Sequence, residues 1–229
     1  KQVTLIDTWS MFANENGNAK KAEFPDLLHP NAVGYKMWEK TLRPVLELMD
    51  LVEVPVDNFK CEEGYELLFN GKDLSGWGYR NKKTLTKIEN FDGMATSSEG
   101  RYHAKHGRLV VTTPPEGRSF TQLWTVEELD RDFTLKLEFR ANANADSGVF
   151  IRRPQLQCRD YLVAGPYKDL KNYKPGDWNE IIVVVKGRIA RCTCNGEVLE
   201  EDFKLPKGGP IGLEGDRGQM EYRRIRLKR

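Results

Sequence analysis

The chain has 229 residues, 39% of them hydrophobic, and its 36 Lys and Arg against 34 Asp and Glu leave a net charge of +2. So small an imbalance excludes the strong field by which nucleic acid or an anionic membrane is recruited, and neither is expected as a partner. No apolar run approaches the roughly 18 residues that a membrane-spanning helix needs, and residue 1 opens polar chain rather than a secretory leader. An export signal is therefore expected upstream, in a secreted or periplasmic bacterial parent protein.

Val3 to Ile6 reads as a short strand, followed by a polar loop through Lys21. After His29-Pro30, apolar residues recur at Val33, Met37, Trp38, Leu42, Val45, Leu46 and Met49, the spacing of an amphipathic helix. Pro44 is expected to kink or split that helix. The run Pro25-Asp26-Leu27-Leu28-His29-Pro30-Asn31-Ala32-Val33-Gly34-Tyr35 resembles the last catalytic block of SGNH-type (GDSL) esterases. In that family an Asp three residues before a His orients the imidazole that deprotonates a distant serine. The resemblance implies that Asp26 and His29 are the orphan pair of such a site. No Gly-Asp-Ser block precedes them, so esterase activity is not expected of this chain. Ala145-Asp146-Ser147-Gly148 imitates the serine block superficially but falls after the His and inside another pattern. Residues 1–50 are thus read as the C-terminal end of an esterase domain, whose remainder is an expected upstream partner.

Residues 51–64, with Pro55, several acids and Gly64, read as a linker. Beyond Tyr65 the pattern turns to strands. Phe133, Leu135, Leu137 and Phe139 alternate with Thr134, Lys136, Glu138 and Arg140, the mark of a strand with one wet face. Ile181 to Val185 is a β-branched run suited to a central strand covered on both faces. Asn195-Gly196 signals a hairpin leading into Glu197-Val198-Leu199. Further strands are expected over Tyr65–Phe69, Arg108–Thr113, Phe120–Trp124, Gly148–Arg153, Pro210–Glu214 and Gln219–Lys228. Many short strands with Gly and Asn turns define a mainly β domain, a sandwich.

From Tyr65 to Lys228 the chain resembles the 3-keto-disaccharide hydrolase family. The matching stretches are Leu68-Phe69-Asn70-Gly71-Lys72-Asp73-Leu74-Ser75-Gly76-Trp77, Asp132 to Arg140, and Asn144-Ala145-Asp146-Ser147-Gly148-Val149-Phe150-Ile151-Arg152. Asp177-Trp178-Asn179-Glu180, Gly209 to Asp216 and Tyr222-Arg223-Arg224-Ile225 follow in order. The resemblance implies a concanavalin-like jelly-roll sandwich over residues 65–229 that acts on oxidised sugars. A ketone at C3 acidifies the C2 proton, so a base can remove it and expel the C1 substituent, and addition of water completes a net hydrolysis. Such chemistry needs a base, an acid and a group that polarises the ketone.

Within the matched motifs, Asp146, Asp160, Glu214 and Asp216 are the candidate bases or acids, and Arg152, Gln155, Gln157 and Tyr167 the candidate hydrogen-bonding groups. The family often carries Glu where Gln155 stands, so a role that depends on an acid there does not carry over. Trp124 is a candidate sugar-stacking ring, whereas Trp77 and Trp178 belong by family position to the core. No motif requires a cofactor, although the chemistry leaves room for a divalent cation. Gln155 and Gln157 share one face of a strand, where polar side chains on a concave sheet suit a carbohydrate ligand. The alternative is a non-catalytic carbohydrate-binding module that targets the upstream esterase to glycan. Four cysteines, Cys61, Cys158, Cys192 and Cys194, are read as buried free thiols, the alternative being a disulfide from Cys158 to Cys192 or Cys194; the Cys-x-Cys spacing lacks paired His and disfavours zinc. His103 and His106 read as exposed loop residues.

Overall fold

The computed structural model describes residues 6, 8–112, 122–142, 145–159, 166–216 and 218–229. Most of the strand expected over Val3–Ile6, the start of that over Phe120–Trp124, and Asp160 lie outside the described residues. Two helices come first, α1 (Trp9–Phe12) and α2 (Ala32–Leu48). The strands are β1 (Glu66–Leu67), β2 (Trp77–Arg80), β3 (Lys87–Asn90), β4 (Tyr102–Lys105), β5 (Arg108–Val111), β6 (Leu123–Thr125) and β7 (Phe133–Ala141). They continue with β8 (Asp146–Ile151), β9 (Gln155–Arg159), β10 (Asn179–Lys186), β11 (Ile189–Cys194), β12 (Glu197–Lys204), β13 (Ile211–Leu213) and β14 (Met220–Lys228).

These form two antiparallel sheets. The first runs β12-β11-β10-β7-β14-β5-β4 with β1 alongside β14, and the second runs β3-β2-β6-β13-β8-β9. Strand alternation puts Phe133, Leu135, Leu137 and Phe139 of β7 inside. They meet Leu123, Val149, Ile151, Leu156, Ile211 and Leu213 of the second sheet in one core. The hairpin forms at Asn195-Gly196, both with positive φ. Strand β10 is central as expected, yet Ile182 and Val184 are only half-buried, so its outer face is not fully covered. Strands β2, β3 and β4 have no strong alternation in the sequence and are not among those expected. Among the described residues no helix is long and apolar enough to cross a membrane.

Helix α2 starts where the Asn31 side chain accepts hydrogen bonds from Val33 N and Gly34 N, at 2.9 and 3.0 Å, the usual way of satisfying first-turn donors. It runs unbroken through Pro44. Its buried positions are Gly34, Thr41, Pro44, Val45 and Glu47, while Val33, Trp38 and Met49 of the apolar stripe stay exposed, as does Tyr35. Glu47 anchors the helix to the outer face of the first sheet, 2.5 Å from Arg108 and 2.8 Å from Arg140, and Arg140 also lies 2.7 Å from Glu221. Trp178 lies over the guanidinium groups of Arg108, Arg140 and Arg223 at 5.7, 5.0 and 4.0 Å. It is half-buried on that outer face, not in the core, because cation–π contact with three arginines holds it there.

The segment 51–64 has no helix or strand, yet acids in and beside it hold it to the sheet. Asp50 meets Lys105 and His106 at 2.6 and 2.8 Å, Asp57 meets Arg224 at 2.9 Å, and Glu62 meets Arg226 at 2.6 Å. A bulge in β14 between Arg223 and Arg226, with Arg224 at φ 51°, turns both Arg223 and Arg224 outward onto Glu138.

Burial alone would raise the Glu47 carboxyl, but hydrogen bonds from Arg108 and Arg140 outweigh it and hold the group below its ordinary 4.5. The ionised form is therefore favoured by folding, and its contribution is present at neutral pH and lost as pH falls through the lowered value. Removing it leaves two buried arginines to share Glu221. Glu47→Ala is expected to cost about 3–5 kcal/mol in urea denaturation. Glu39→Ala, which breaks the exposed i,i+4 pair with Arg43, should cost under about 1 kcal/mol.

Candidate active site

The two-residue period that turns Val149, Ile151, Ile211 and Leu213 inward turns their alternates outward. Cross-strand register aligns Trp124, Gly212, Phe150 and Gln155 in one row across β6, β13, β8 and β9. The next row holds Gln122, Glu214, Gly148 and Gln157, and beyond it Asp216 N donates to Asp146 O at 3.0 Å while Asp146 pairs with Arg159.

Glu214 is the centre of this face. It is 9% exposed, and its two carboxylate oxygens accept from Gln122 Nε2 at 2.6 Å and Gln155 Nε2 at 3.1 Å. Burial pushes its carboxyl above the ordinary 4.5, against the Gln122 hydrogen bond, and the Asp216 charge adds to the rise. From the core side, Tyr222 Oη donates to the Glu214 carbonyl at 2.8 Å and lies 2.9 Å from Ser147 Oγ. Ser147 is 1% exposed and faces the core, so it is no surface nucleophile.

Two glycines beside the acid let neighbouring side chains lie flat on the sheet. A methyl on Gly148 would collide with the Gln155 side chain, and one on Gly212 would stand 2.6 Å from Cε3 and Cζ3 of Trp124. Trp124 consequently lies across the sheet, 3% exposed, with its ring 5.3 Å from that of Phe150. Arg159 Nε lies 3.5 Å from Asp146 Oδ1 at the far end of the face.

Six of the residues singled out in the sequence, Asp146, Glu214, Asp216, Gln155, Gln157 and Trp124, thus share one face. Arg152 does not belong with them. With φ at 55° it ends β8, is 1% exposed, and donates to the carbonyls of Leu129, Arg131, Gly187 and Pro206, pinning three loops. Tyr167 is also withdrawn: it is buried against Phe139 and Tyr173, and its hydroxyl donates to Gln157 O at 2.7 Å. Sequence reasoning missed Gln122, Phe150 and Arg159, although each shares parity with a named neighbour, Trp124, Gly148 or Gln157.

On the N-terminal segment, His29 Nδ1 lies 2.8 Å from Asp26 Oδ2, and Asp26 Oδ1 accepts from Leu28 N and His29 N. These backbone and side-chain hydrogen bonds hold the Asp26 carboxyl well below the usual carboxylate range. The pair is exposed and is not part of the sheet face. His103 is half-buried between Thr96 and the Gly100 carbonyl, and His106 is bonded to Asp50. Cys158, Cys192 and Cys194 are buried free thiols, with Cys61 partly exposed. Among the described residues no group of three or more His, Cys, Asp or Glu is placed to hold a metal.

A family model described as the 3-keto-alpha-glucoside-1,2-lyase-like domain matches residues 64–228, and the chain belongs to that family. No curated protein matches the chain. Of solved structures, a provisionally assigned glycosyl hydrolase from Parabacteroides distasonis superposes with a TM-score of 0.57 at 19% identity, covering 75% of this chain and 98% of that one. It shares the fold. More distant likenesses are a carbohydrate-binding module from Bacillus subtilis (TM-score 0.43, 10% identity, 68% and 97% covered) and an alginate lyase from a Corynebacterium species (0.43, 11%, 69% and 99%).

Because Glu214 binds its proton more tightly folded than unfolded, its ionisation costs stability above the raised value and costs nothing below 4.5. Glu214→Gln is therefore expected to raise the melting temperature at pH 7, with the gain shrinking toward pH 4. Thermal melts across that range check the sign.

Proposed function

We propose that the sandwich is a carbohydrate-active enzyme that cleaves a glycosidic bond, with 3-keto glycosides as substrates and Glu214 as the group that moves the proton. The observation that carries this reading is a buried carboxylate held between two amides on the face that also carries Asp146, Asp216 and Gln157. A carboxylate whose ionised form is disfavoured by burial is a stronger base than one in water, which suits abstraction of a C2 proton beside a ketone. Glu214 takes that proton, the C2–H electrons form the C1=C2 bond, and the C1 oxygen leaves with its pair. Water then adds at C1 and the proton returns to C2. The leaving oxygen takes a proton from a second acid and the attacking water returns one to it, a role for which Asp146 and Asp216 on the same face are the candidates, with Gln157 to bind hydroxyls.

The test is release of monosaccharide from a 3-keto-disaccharide and from its unoxidised parent. Turnover of the keto sugar alone is expected, falling about 10²- to 10⁴-fold in Glu214→Gln. Binding without turnover, indifferent to Glu214→Gln and Asp146→Ala, would instead favour a non-catalytic carbohydrate-binding module.

We also propose that residues 1–50 are the end of an SGNH-type hydrolase domain, 51–64 its connector, and the parent protein exported. The Asp26–His29 hydrogen bond on an exposed loop supports this, since it is the contact by which such an Asp orients its His. Lacking a nucleophile, the chain should hydrolyse p-nitrophenyl acetate no faster than its His29→Ala variant. A rate that drops on substitution would contradict the orphan reading.

A further inference from the structure

Elimination beside a ketone needs a base and also a group that polarises the C3 oxygen. Arg152, the one cation among the candidate hydrogen-bonding groups, is spent on loop carbonyls, and Arg159 is buried against Asp146 at the far end of the face. A cation is nonetheless supplied from outside the sheet. Strand β2 pairs with β6 through Tyr79 and Leu123, so its end at Arg80 lies beside Gln122, the amide that holds Glu214.

From there residues 81–86 leave the plane of the sheet. Arg153, at the turn between β8 and β9, donates from Nη2 to Lys83 O at 2.6 Å. In the order β2-β6-β13-β8 the outer two strands stand roughly 14 Å apart, further than an arginine side chain reaches. Since the core fills the inner side, the loop leans across β6 and β13 on the outer face. It is held in that pose: Asn81 Oδ1 accepts from Lys83 N and Thr84 N at 2.9 and 3.0 Å, and Arg80 Nη1 donates to Leu85 O at 2.8 Å. The loop is therefore a fixed wall of the Glu214 face, and Lys82 stands exposed on it, between the end of β2 and the Arg153 tie. The charges that act on the Glu214 carboxyl are Asp216, which raises its proton affinity, and Arg101 and Lys82, which lower it. Arg101 is buried and Lys82 exposed, so the Lys82 ammonium is the one that a ligand on this face can meet.

We propose that Lys82 is the group that polarises the ketone, its ammonium donating to the C3 oxygen of a 3-keto sugar whose C2 lies against Glu214. The inference rests on the reading of Glu214 as the base. As Glu214 takes the C2 proton, the C2–H pair forms C2=C3 and the C=O pair moves to the C3 oxygen, where the ammonium meets the new charge. The pair then returns: the C3 carbonyl re-forms, C1=C2 replaces C2=C3, and the C1 oxygen leaves with its electrons. Lys82 keeps its proton throughout, and nothing is oxidised or reduced.

The test follows monosaccharide release from a 3-keto-disaccharide by the full chain, as a function of pH, in Lys82→Met, Lys82→Arg and Lys87→Met, the last removing an equal charge from β3. Lys82→Met is expected to lower kcat about 10- to 100-fold with KM within about twofold, since charge on the C3 oxygen builds only toward the transition state. Its rate should also begin to fall at a higher pH on the acid side, because Glu214 loses a cation that favours its ionised form. Lys82→Arg is expected to keep most of the rate and Lys87→Met all of it. Unchanged kcat in Lys82→Met beside an inactive Glu214→Gln overturns the role of Lys82 and leaves that of Glu214. A rise in KM alone makes Lys82 a binding group and overturns the role as well. Loss in Lys82→Met beside a fully active Glu214→Gln keeps Lys82 and removes Glu214, and no turnover by the unaltered chain overturns both.

Discussion

Every residue of the candidate site is placed by the two-residue period of the second sheet, and Glu214 shows how much depends on it. Its carbonyl is held from inside by Tyr222, while its carboxylate on the other side is gripped by Gln122 and Gln155. Leu213 before it is wholly buried and Gly212 before that makes room for an indole. A register slip by one residue would send the acid into the core and the leucine into the site. The sandwich core is therefore also what aims the chemistry, and the raised proton affinity of Glu214 follows from its nearness to that core.

The opposite sheet is organised by charge. Glu47 from α2 completes a buried cluster with Arg108, Arg140 and Glu221, and Asp50, Asp57 and Glu62 repeat the theme along the connector. Arg226 beside Glu62 holds that carboxyl down to about 2. The N-terminal segment is thus fixed on the outer face of the first sheet, away from Glu214, while the exposed Tyr35 and Trp38 stack on each other at 6.3 Å.

What the sequence disclosed depended on how local each signal was. The alternation of Phe133 to Arg140, the Asn195-Gly196 turn and the Gln155-x-Gln157 pair are short-range patterns, and each lands where expected. Arg152 misled because its motif places it one residue past a strand, and only the positive φ there reveals that it turns back onto loop carbonyls. Tyr167 and Trp178 misled for a related reason: partners far along the chain, Phe139 for one and three arginines for the other, decide which side of a sheet an aromatic ring meets. Gln122 joins Glu214 across 92 residues of sequence, a contact that no spacing rule contains.

The most direct test of the account is a crystal structure of Glu214→Gln soaked with a 3-keto-disaccharide. The account predicts the keto ring on the outer face of the second sheet with its C2 beside residue 214. A ligand seated instead in the cleft between residues 54–59 and Arg224, on the other sheet, would contradict it.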